Sequence, residues 1–237
     1  MTEAVTQLEI DQRVFDLYDE YCHGRIDRRE FLQRAGVLTV GGVSALAMAE
    51  ALLPRYALAQ TISFTDTRIK AQYVTYPVGG YPGNDDDGRT LQAGLDQGKL
   101  RADMASSARF LKSHKSSSGK LGVTGFCWGG GTTNFLAAAL GAEMHAGVPF
   151  YGAAAETADV PRIRAPLLIH YAETDERINA MWPAFEAALK AAGVPHQMYK
   201  YPGTQHGFHN NSTPRYNEAA AKLAWERTIA FFKKHLA

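Results

Sequence analysis

A cysteine set between glycines constrains the fold of this chain more than any other feature of the sequence. Cys127 lies in the stretch 125–130 (Gly-Phe-Cys-Trp-Gly-Gly), after a predicted apolar strand over 121–124 and before a predicted helix of small residues over 131–140. A nucleophile on a sharp strand-to-helix turn needs such glycines, because side chains two residues to either side would collide. The turn also puts Cys127 at a helix N-terminus, where the helix dipole favours a thiolate. The stretch predicts a nucleophile elbow with Cys in place of Ser, and a buried cysteine in a glycine-rich turn is the alternative it leaves open.

Strand-like and helix-like segments alternate through the second half of the chain. This alternation predicts an α/β fold with a mostly parallel sheet flanked by helices. The spacing of apolar residues places Leu223, Ile229 and Phe232 on the buried face of the last helix. The predicted strands cover 121–124, 146–151, 166–171 and 196–201, and the predicted helices cover 97–114, 131–140, 180–192 and 215–235.

Three chemically reactive side chains follow three of these strands. Cys127, Asp175 and His206 each lie just beyond a predicted strand end. Functional groups gather beyond the carboxyl ends of the strands in parallel sheets, so we expect these side chains to meet. Their order along the chain, nucleophile then acid then histidine, is the order found in α/β-hydrolases. The sequence therefore predicts a catalytic triad at these three positions.

Three motifs carry a resemblance to a known family. They are the elbow at 125–130, the segment 171–175 (Tyr-Ala-Glu-Thr-Asp) and the segment 201–208 (Tyr-Pro-Gly-Thr-Gln-His-Gly-Phe). With the loop at 80–83 and the helix at 216–236, they make the chain from about 80 to 236 resemble the dienelactone hydrolase family of α/β-hydrolases. The resemblance implies hydrolysis of esters or lactones by a Cys-His-Asp triad.

The resemblance also implies a role for each site residue. Cys127 is the expected nucleophile, His206 the general base and Asp175 the partner that orients the histidine. The backbone N–H of Trp128, the residue after the nucleophile, is one expected oxyanion donor. The Trp128 side chain either lines the substrate pocket or packs against the elbow, and Tyr81 is a candidate to reach the pocket from its loop. The expected partner is a small ester or lactone.

The segment before the elbow departs from the family pattern. Only Pro-Val-Gly-Gly separates Tyr76 from Tyr81, whereas a βαβ unit takes about 30 residues or more. We therefore expect an internal deletion at 77–80, the loss of some N-terminal strands, and the loss of the loop that supplies the second oxyanion donor. Removing one such donor costs about 10²–10³ in rate. Asn210 stands where the family carries an arginine for the substrate carboxylate, so a dienelactone is not specifically indicated. A weak or inactive remnant that binds or dimerises is the alternative function.

The N-terminal region has the order of an export signal. Arg28-Arg29-Glu30-Phe31-Leu32 precedes a weakly apolar, Gly/Ala-rich run over 35–53, and Ala57-Leu58-Ala59 closes the segment. Paired arginines, an apolar run and a small-residue cleavage site predict a twin-arginine signal and an exported, periplasmic protein that begins near Gln60. The alternative is a cytoplasmic protein that keeps an N-terminal helix pair, the first helix lying within 1–24. The predicted domains are 1–59, the extension, and 60–237, the hydrolase-like domain.

Composition excludes several other classes of protein. A net charge of +1 gives no reason to expect nucleic acid as a partner. Cys22 and Cys127 are the two cysteines, too few for a disulfide framework. His206 and His209 lack the pattern of a zinc protease, and the acids at 85–87 lack the spacing of a calcium loop, so we expect no metal and no cofactor. The Gly-rich run with Glu50 argues against a stable membrane span. The sequence does not indicate an oligomeric state.

Overall fold

The computed structural model describes residues 12–22, 25–38 and 94–237 of the chain. Several predictions fall outside these residues, and they stay predictions. They are the deletion at 77–80, the strands expected to be missing with it, the role of Tyr81 and the domain boundary at 59/60. The described residues fall into two compact units, and the second consists of 96–210 and 215–237.

The first unit contains a pair of short helices with an aromatic core. The side chain of Asp27 caps the second helix by accepting a hydrogen bond from the Glu30 N–H at 2.7 Å. The rings of Tyr21 and Phe31 stack with their centroids 5.3 Å apart. Arg28 and Arg29 are exposed in the first turn of the second helix. The two helices are α1 (Gln12–Cys22) and α2 (Arg28–Gly36).

The second unit is built on a parallel sheet of four described strands in the order β1-β2-β3-β4. This arrangement confirms the predicted α/β architecture with flanking helices. The strands are β1 (Gly122–Phe126), β2 (Ala146–Phe150), β3 (Leu167–Thr174) and β4 (His196–Gln205). The helices are α3 (Gln97–Ser113), α4 (Trp128–Leu140), α5 (Glu176–Asn179), α6 (Trp182–Ala191) and α7 (Glu218–Leu236), with 3-10 turns at Gly141–Glu143 and Val160–Arg162.

Side chains that alternate along β3 build a core on each face of the sheet. Leu167, Ile169 and Tyr171 join one apolar cluster, which includes residues of α4 and α6. Leu168 and Ala172 join a second cluster, which includes residues of α7. Successive side chains of a strand point to opposite faces, and both faces are covered here, so the strand is apolar nearly throughout.

The buried face of α7 differs from the sequence prediction. Leu223 and Ile229 are 42% and 37% exposed, and the buried residues of the helix are small. Small side chains let the helix lie close to the sheet, because they fill little of the space between the two layers. Phe232 is partly buried, as the spacing predicted. The buried residues of α7 are Ala220, Ala221, Ala224 and Thr228.

Candidate active site

The predicted elbow is a strained turn between β1 and α4. Cys127 has φ 55° and ψ −114°, a backbone conformation that residues other than glycine rarely adopt. Its N–H donates to the Phe150 carbonyl at 3.0 Å, and its own carbonyl accepts from the Gly131 N–H at 3.1 Å. These two bonds tie the turn to β2 and to the first turn of α4, and so hold the strained conformation in place.

Glycines around the cysteine make the tight turn possible. A Cβ at Gly125 would lie 2.2 Å from the Gly129 carbonyl oxygen, and a Cβ at Gly130 would lie 2.5 Å from the Phe150 carbonyl oxygen. Gly152, just after β2, faces Gly130 equally closely, with a hypothetical Cβ 2.2 Å from the Gly130 carbonyl carbon. The backbones of β1, β2 and α4 therefore meet where Cys127 is presented, in agreement with the steric argument from the sequence.

Asp175 and His206 meet beyond the ends of β3 and β4. Thr174 pairs with Gln205 in the sheet, so the residues that follow them are brought side by side. His206 Nδ1 and Asp175 Oδ2 are 2.7 Å apart, and the two residues are 9% and 8% exposed. Asp175 also caps the N-terminus of α5, where its Oδ1 accepts from the Ile178 N–H at 3.4 Å. The carboxylate is thus fixed by both its position and its bonds.

The environment of His206 raises its pKa. Burial lowers the pKa, but the hydrogen bond with Asp175 and the interaction with Cys127, together with the charges of both groups, outweigh burial and raise the pKa to about 9. Since Nδ1 is bonded to Asp175, Nε2 is the ring nitrogen that remains for the sulfur. Cys127 carries a thiol and forms no disulfide. The acid and the imidazole predicted from the sequence are therefore hydrogen-bonded to each other, and the imidazole also interacts with the predicted thiol.

Tyr151 is a site residue that the sequence reasoning missed. It follows β2 with φ 36°, it is buried, and its ring lies edge-on to His206 with centroids 5.0 Å apart. Burial and the charge of Cys127 raise the pKa of its phenol, against the opposing effects of Arg215 and the His209 backbone. The only signal in the sequence was the aromatic-glycine end of β2. Tyr151 packs against the His206 imidazole.

Two other aromatic groups lie near the elbow. The Trp128 side chain is 47% exposed. Trp128 is the first residue of α4, and the backbone N–H groups of the first turn of a helix have no acceptor within that helix. The His209 ring is partly buried between Phe126 and Trp225, with centroids 5.0 and 5.8 Å away, and burial lowers its pKa. The Trp128 N–H therefore has no acceptor within α4, and His209 is part of the packing around the elbow.

A second buried histidine is separate from the triad. His170 lies within β3, with Nδ1 2.8 Å from the Tyr201 hydroxyl and Nε2 3.1 Å from the Thr228 hydroxyl. Burial and the charge of Arg227 lower its pKa to about 3, so the ring is neutral at neutral pH. It ties β3 to β4 and α7 as a structural group of the core.

The described residues give no indication of a metal centre or a membrane segment. Across 12–22, 25–38 and 94–237, no group of three or more His, Cys, Asp or Glu side chains is arranged to hold a metal ion. No helix among those residues is long and apolar enough to cross a membrane.

A match to a protein-family model shows which family this chain belongs to. The model of the dienelactone hydrolase family matches residues 71–236. The chain belongs to the dienelactone hydrolase family. A second model, described as YqhI-like, matches residues 1–40, which include α1 and α2. The dienelactone hydrolase match covers the elbow, the acid and the histidine together.

The chain is also similar to individual proteins. Protein usf of Aquifex pyrophilus is 34% identical over 166 residues, which cover 67% of this chain and 71% of that protein. A candidate carboxymethylenebutenolidase of Methylorubrum extorquens is 31% identical over 149 residues, 58% of this chain. The match spans 51% of that relative, about half its length. The crystal structure of a candidate dienelactone hydrolase of Klebsiella pneumoniae superposes with a TM-score of 0.56 at 25% identity, covering 64% of this chain and 68% of that one.

Proposed function

We propose that this member of the dienelactone hydrolase family hydrolyses carboxylic esters or lactones through a thioester on Cys127. One observation carries the proposal: His206 bonds Asp175 at 2.7 Å and also interacts with the thiol of Cys127, which is held in a strained turn. A nucleophile, a base and a group that orients the base are the three parts that covalent acyl transfer requires.

Acylation forms the thioester. The Cys127 sulfur attacks the carbonyl carbon, and the carbonyl π electrons move to oxygen to give a tetrahedral intermediate. As the intermediate collapses, the carbon–oxygen bond to the alcohol breaks and the His206 imidazolium donates its proton to the departing alkoxide. A pKa raised to about 9 keeps His206 protonated at neutral pH, which suits a thiolate–imidazolium resting pair.

Deacylation restores the resting site. Neutral His206 takes a proton from water, and the resulting hydroxide attacks the thioester carbonyl. The carbon–sulfur bond then breaks, so that the acid leaves, Cys127 departs as thiolate and His206 is again protonated. Asp175 keeps Nδ1 protonated throughout and so leaves Nε2 to face the reacting atoms.

The Trp128 N–H is the proposed donor to the oxyanion. It follows the nucleophile directly and opens α4, so the positive end of the helix dipole faces the same point. Charge that develops on the carbonyl oxygen is stabilised most by donors that are already in place. The exposed Trp128 indole is proposed to lie along the path of the substrate.

Replacing the nucleophile tests the proposal. We expect Cys127→Ala to lower turnover of a small activated ester such as p-nitrophenyl acetate by about 10⁴-fold or more, since removing a triad nucleophile removes the covalent route. The wild type should show a mass increase of one acetyl group on Cys127 after rapid acid quench. Cys22→Ala is the matched control and should keep both turnover and the acyl adduct.

Two results would argue against hydrolysis. Equal turnover by Cys127→Ala and wild type would show that the ester is cleaved elsewhere. A wild type that forms no acyl adduct with p-nitrophenyl esters or simple lactones, while iodoacetamide still labels Cys127, would instead support a binding or dimerising remnant.

A further inference from the structure

An irregular stretch of sheet lies directly before the acid and the histidine. Ala172 pairs with Tyr201 and Thr174 pairs with Gln205, and the register shifts between these pairs. Between these two pairs β3 has one residue, Glu173, whereas β4 has the three residues 202–204. β4 therefore carries two extra residues opposite Glu173. Bulges of this kind re-aim the chain that follows them. The chain that follows this one carries His206.

Glu173 spans the bulge through both its side chain and its backbone. Its Oε2 accepts a hydrogen bond from the Gly203 N–H at 2.7 Å, and its own N–H donates to the Thr204 hydroxyl at 3.4 Å. Thr204 is fully buried and its hydroxyl donates to the Tyr201 carbonyl at 2.7 Å. Gly203 has φ +67°, a conformation that favours glycine. Glu173 thus ties the extra residues of β4 to β3.

The backbone of Glu173 is itself fixed from the acid side. The Asn179 side-chain amide in α5 donates to the carbonyls of Ala172 and Glu173, both at 3.0 Å. Asp175 caps the N-terminus of the same helix. The backbone of Glu173 is therefore bound to α5, which Asp175 caps, and its carboxylate is bound to the segment of β4 that leads to His206. Glu173 in this way joins the acid side of the triad to the histidine side.

We propose that Glu173 is a positioning residue, which sets the distance between His206 and Asp175 by holding the bulge of β4 against the end of β3. The carboxylate touches neither Cys127 nor the reacting atoms in this role. An ionised acceptor makes a stronger bond to a backbone N–H than a neutral one does, although solvent weakens it at this exposed position. A solvated surface carboxylate needs no such partner, and five hydrogen bonds lie at this bulge.

The expected loss of kcat rests on the proposed function, but the titration midpoint of His206 and the rate of Cys127 alkylation do not. If the bulge loosens, the Asp175–His206 bond lengthens, and the main interaction that raises the His206 pKa weakens. Cys127 and, edge-on, Tyr151 also interact with the ring, whereas the hydrogen bonds of Glu173 described above join it to Gly203, Thr204 and Asn179. A change at His206 after substitution of Glu173 therefore reports on the bulge.

The experiment compares Glu173→Ala and Glu173→Gln with the wild type and with Glu186→Ala. Glu186 is a control because it is a glutamate of α6 that pairs with Lys190 in its own helix. The first measurement is the titration midpoint of His206 by NMR with ¹³C-labelled histidine, assigned with His206→Gln. The second is the rate of Cys127 alkylation by iodoacetamide across pH. The third is kcat and KM for p-nitrophenyl acetate.

For Glu173→Ala we expect a His206 midpoint below that of wild type, slower alkylation at pH 7, and a kcat about 10- to 10²-fold lower with KM within about twofold. Glu173→Gln keeps an amide oxygen that accepts from the Gly203 N–H, so it should restore most of each readout. Glu186→Ala should change none of them.

Several outcomes would overturn the proposal. One is a Glu173→Ala protein that titrates and alkylates like wild type. Another is a loss of stability without a shift of the His206 midpoint, which would show a merely structural role. If Glu173→Ala does not fold, Glu173→Asp decides: its shorter side chain should reproduce the midpoint shift, and an unshifted midpoint refutes the proposal. If the wild type hydrolyses no ester, the NMR and alkylation measurements still test whether Glu173 positions His206.

Discussion

At the scale of single residues, the site is set by the surroundings of His206. An unperturbed histidine has a pKa of about 6.5, and burial alone lowers it. In this protein the bond to Asp175 and the interaction with Cys127 reverse that tendency and raise the pKa to about 9. A histidine that stays protonated at neutral pH holds a neighbouring thiol as thiolate, which is the form that attacks a carbonyl.

The raised pKa of His206 predicts how stability depends on pH. The folded value of about 9 exceeds the unfolded value of about 6.5, so the native state binds the proton more tightly. This contribution is fully present below pH 6.5 and is lost as pH rises through 9. We expect the melting temperature of wild type to fall between pH 6.5 and 9.5 by more than that of His206→Gln, as followed by circular dichroism. Parallel slopes for the two proteins would contradict the assignment.

At the scale of elements, glycines allow the backbones around the elbow to pack closely. Three backbones meet at Cys127, and the steric conflicts at Gly125, Gly130 and Gly152 are with backbone atoms, which do not move aside as a flexible side chain does. Gly129, in the same helix, has open space around a hypothetical Cβ. Neighbouring glycines of α4 therefore serve different purposes.

Substitutions in α4 test this difference. Gly130→Ala should lower the free energy of unfolding by about 1–3 kcal/mol, because its Cβ would overlap the Phe150 carbonyl and force β2 and α4 apart. Gly129→Ala is the matched control and should be neutral or stabilising by about 0.4–1 kcal/mol, because alanine restricts the unfolded chain. Urea unfolding followed by fluorescence measures both. Equal effects of the two substitutions would refute the packing argument.

At the scale of the whole molecule, the helix pair and the parallel sheet belong to two different compact units and lie within matches to two different family models. The helix pair lies within the YqhI-like match and the sheet lies within the dienelactone hydrolase match. The helix pair has its own aromatic core, and Arg28 and Arg29 remain on its surface. A receptor that recognises paired arginines needs them exposed.

We propose export by the twin-arginine route, and the arginine pair gives the test. The full-length chain, tagged at its C-terminus and produced in a bacterium with this route, should appear in the periplasmic fraction. Replacement of both Arg28 and Arg29 by Lys should keep the chain in the cytoplasm, because lysine lacks the planar guanidinium that the recognition uses. A cytoplasmic wild type would instead favour a helix pair that is retained in the mature protein.

Much of the fold followed from local patterns, but not the way in which elements pack. Alternating strands and helices predicted the parallel sheet, yet apolar spacing assigned Leu223 and Ile229 to a buried face that small residues occupy. Hydrophobicity does not show how closely a helix approaches a sheet, since that distance depends on the residues opposite it. For the same reason Tyr151, an ordinary strand-end aromatic in the sequence, was not recognised beside His206.

The sequence by itself determined the identities and the order of Cys127, Asp175 and His206, because each stands at a strand end and parallel strands end on one edge. It also determined the need for glycines around the nucleophile, which is a local steric requirement. Only the tertiary structure decided that the acid and the imidazole lie 2.7 Å apart and that the pKa of His206 rises. Those properties depend on the register of β3 against β4 and on burial, which arise from contacts between residues about thirty positions apart.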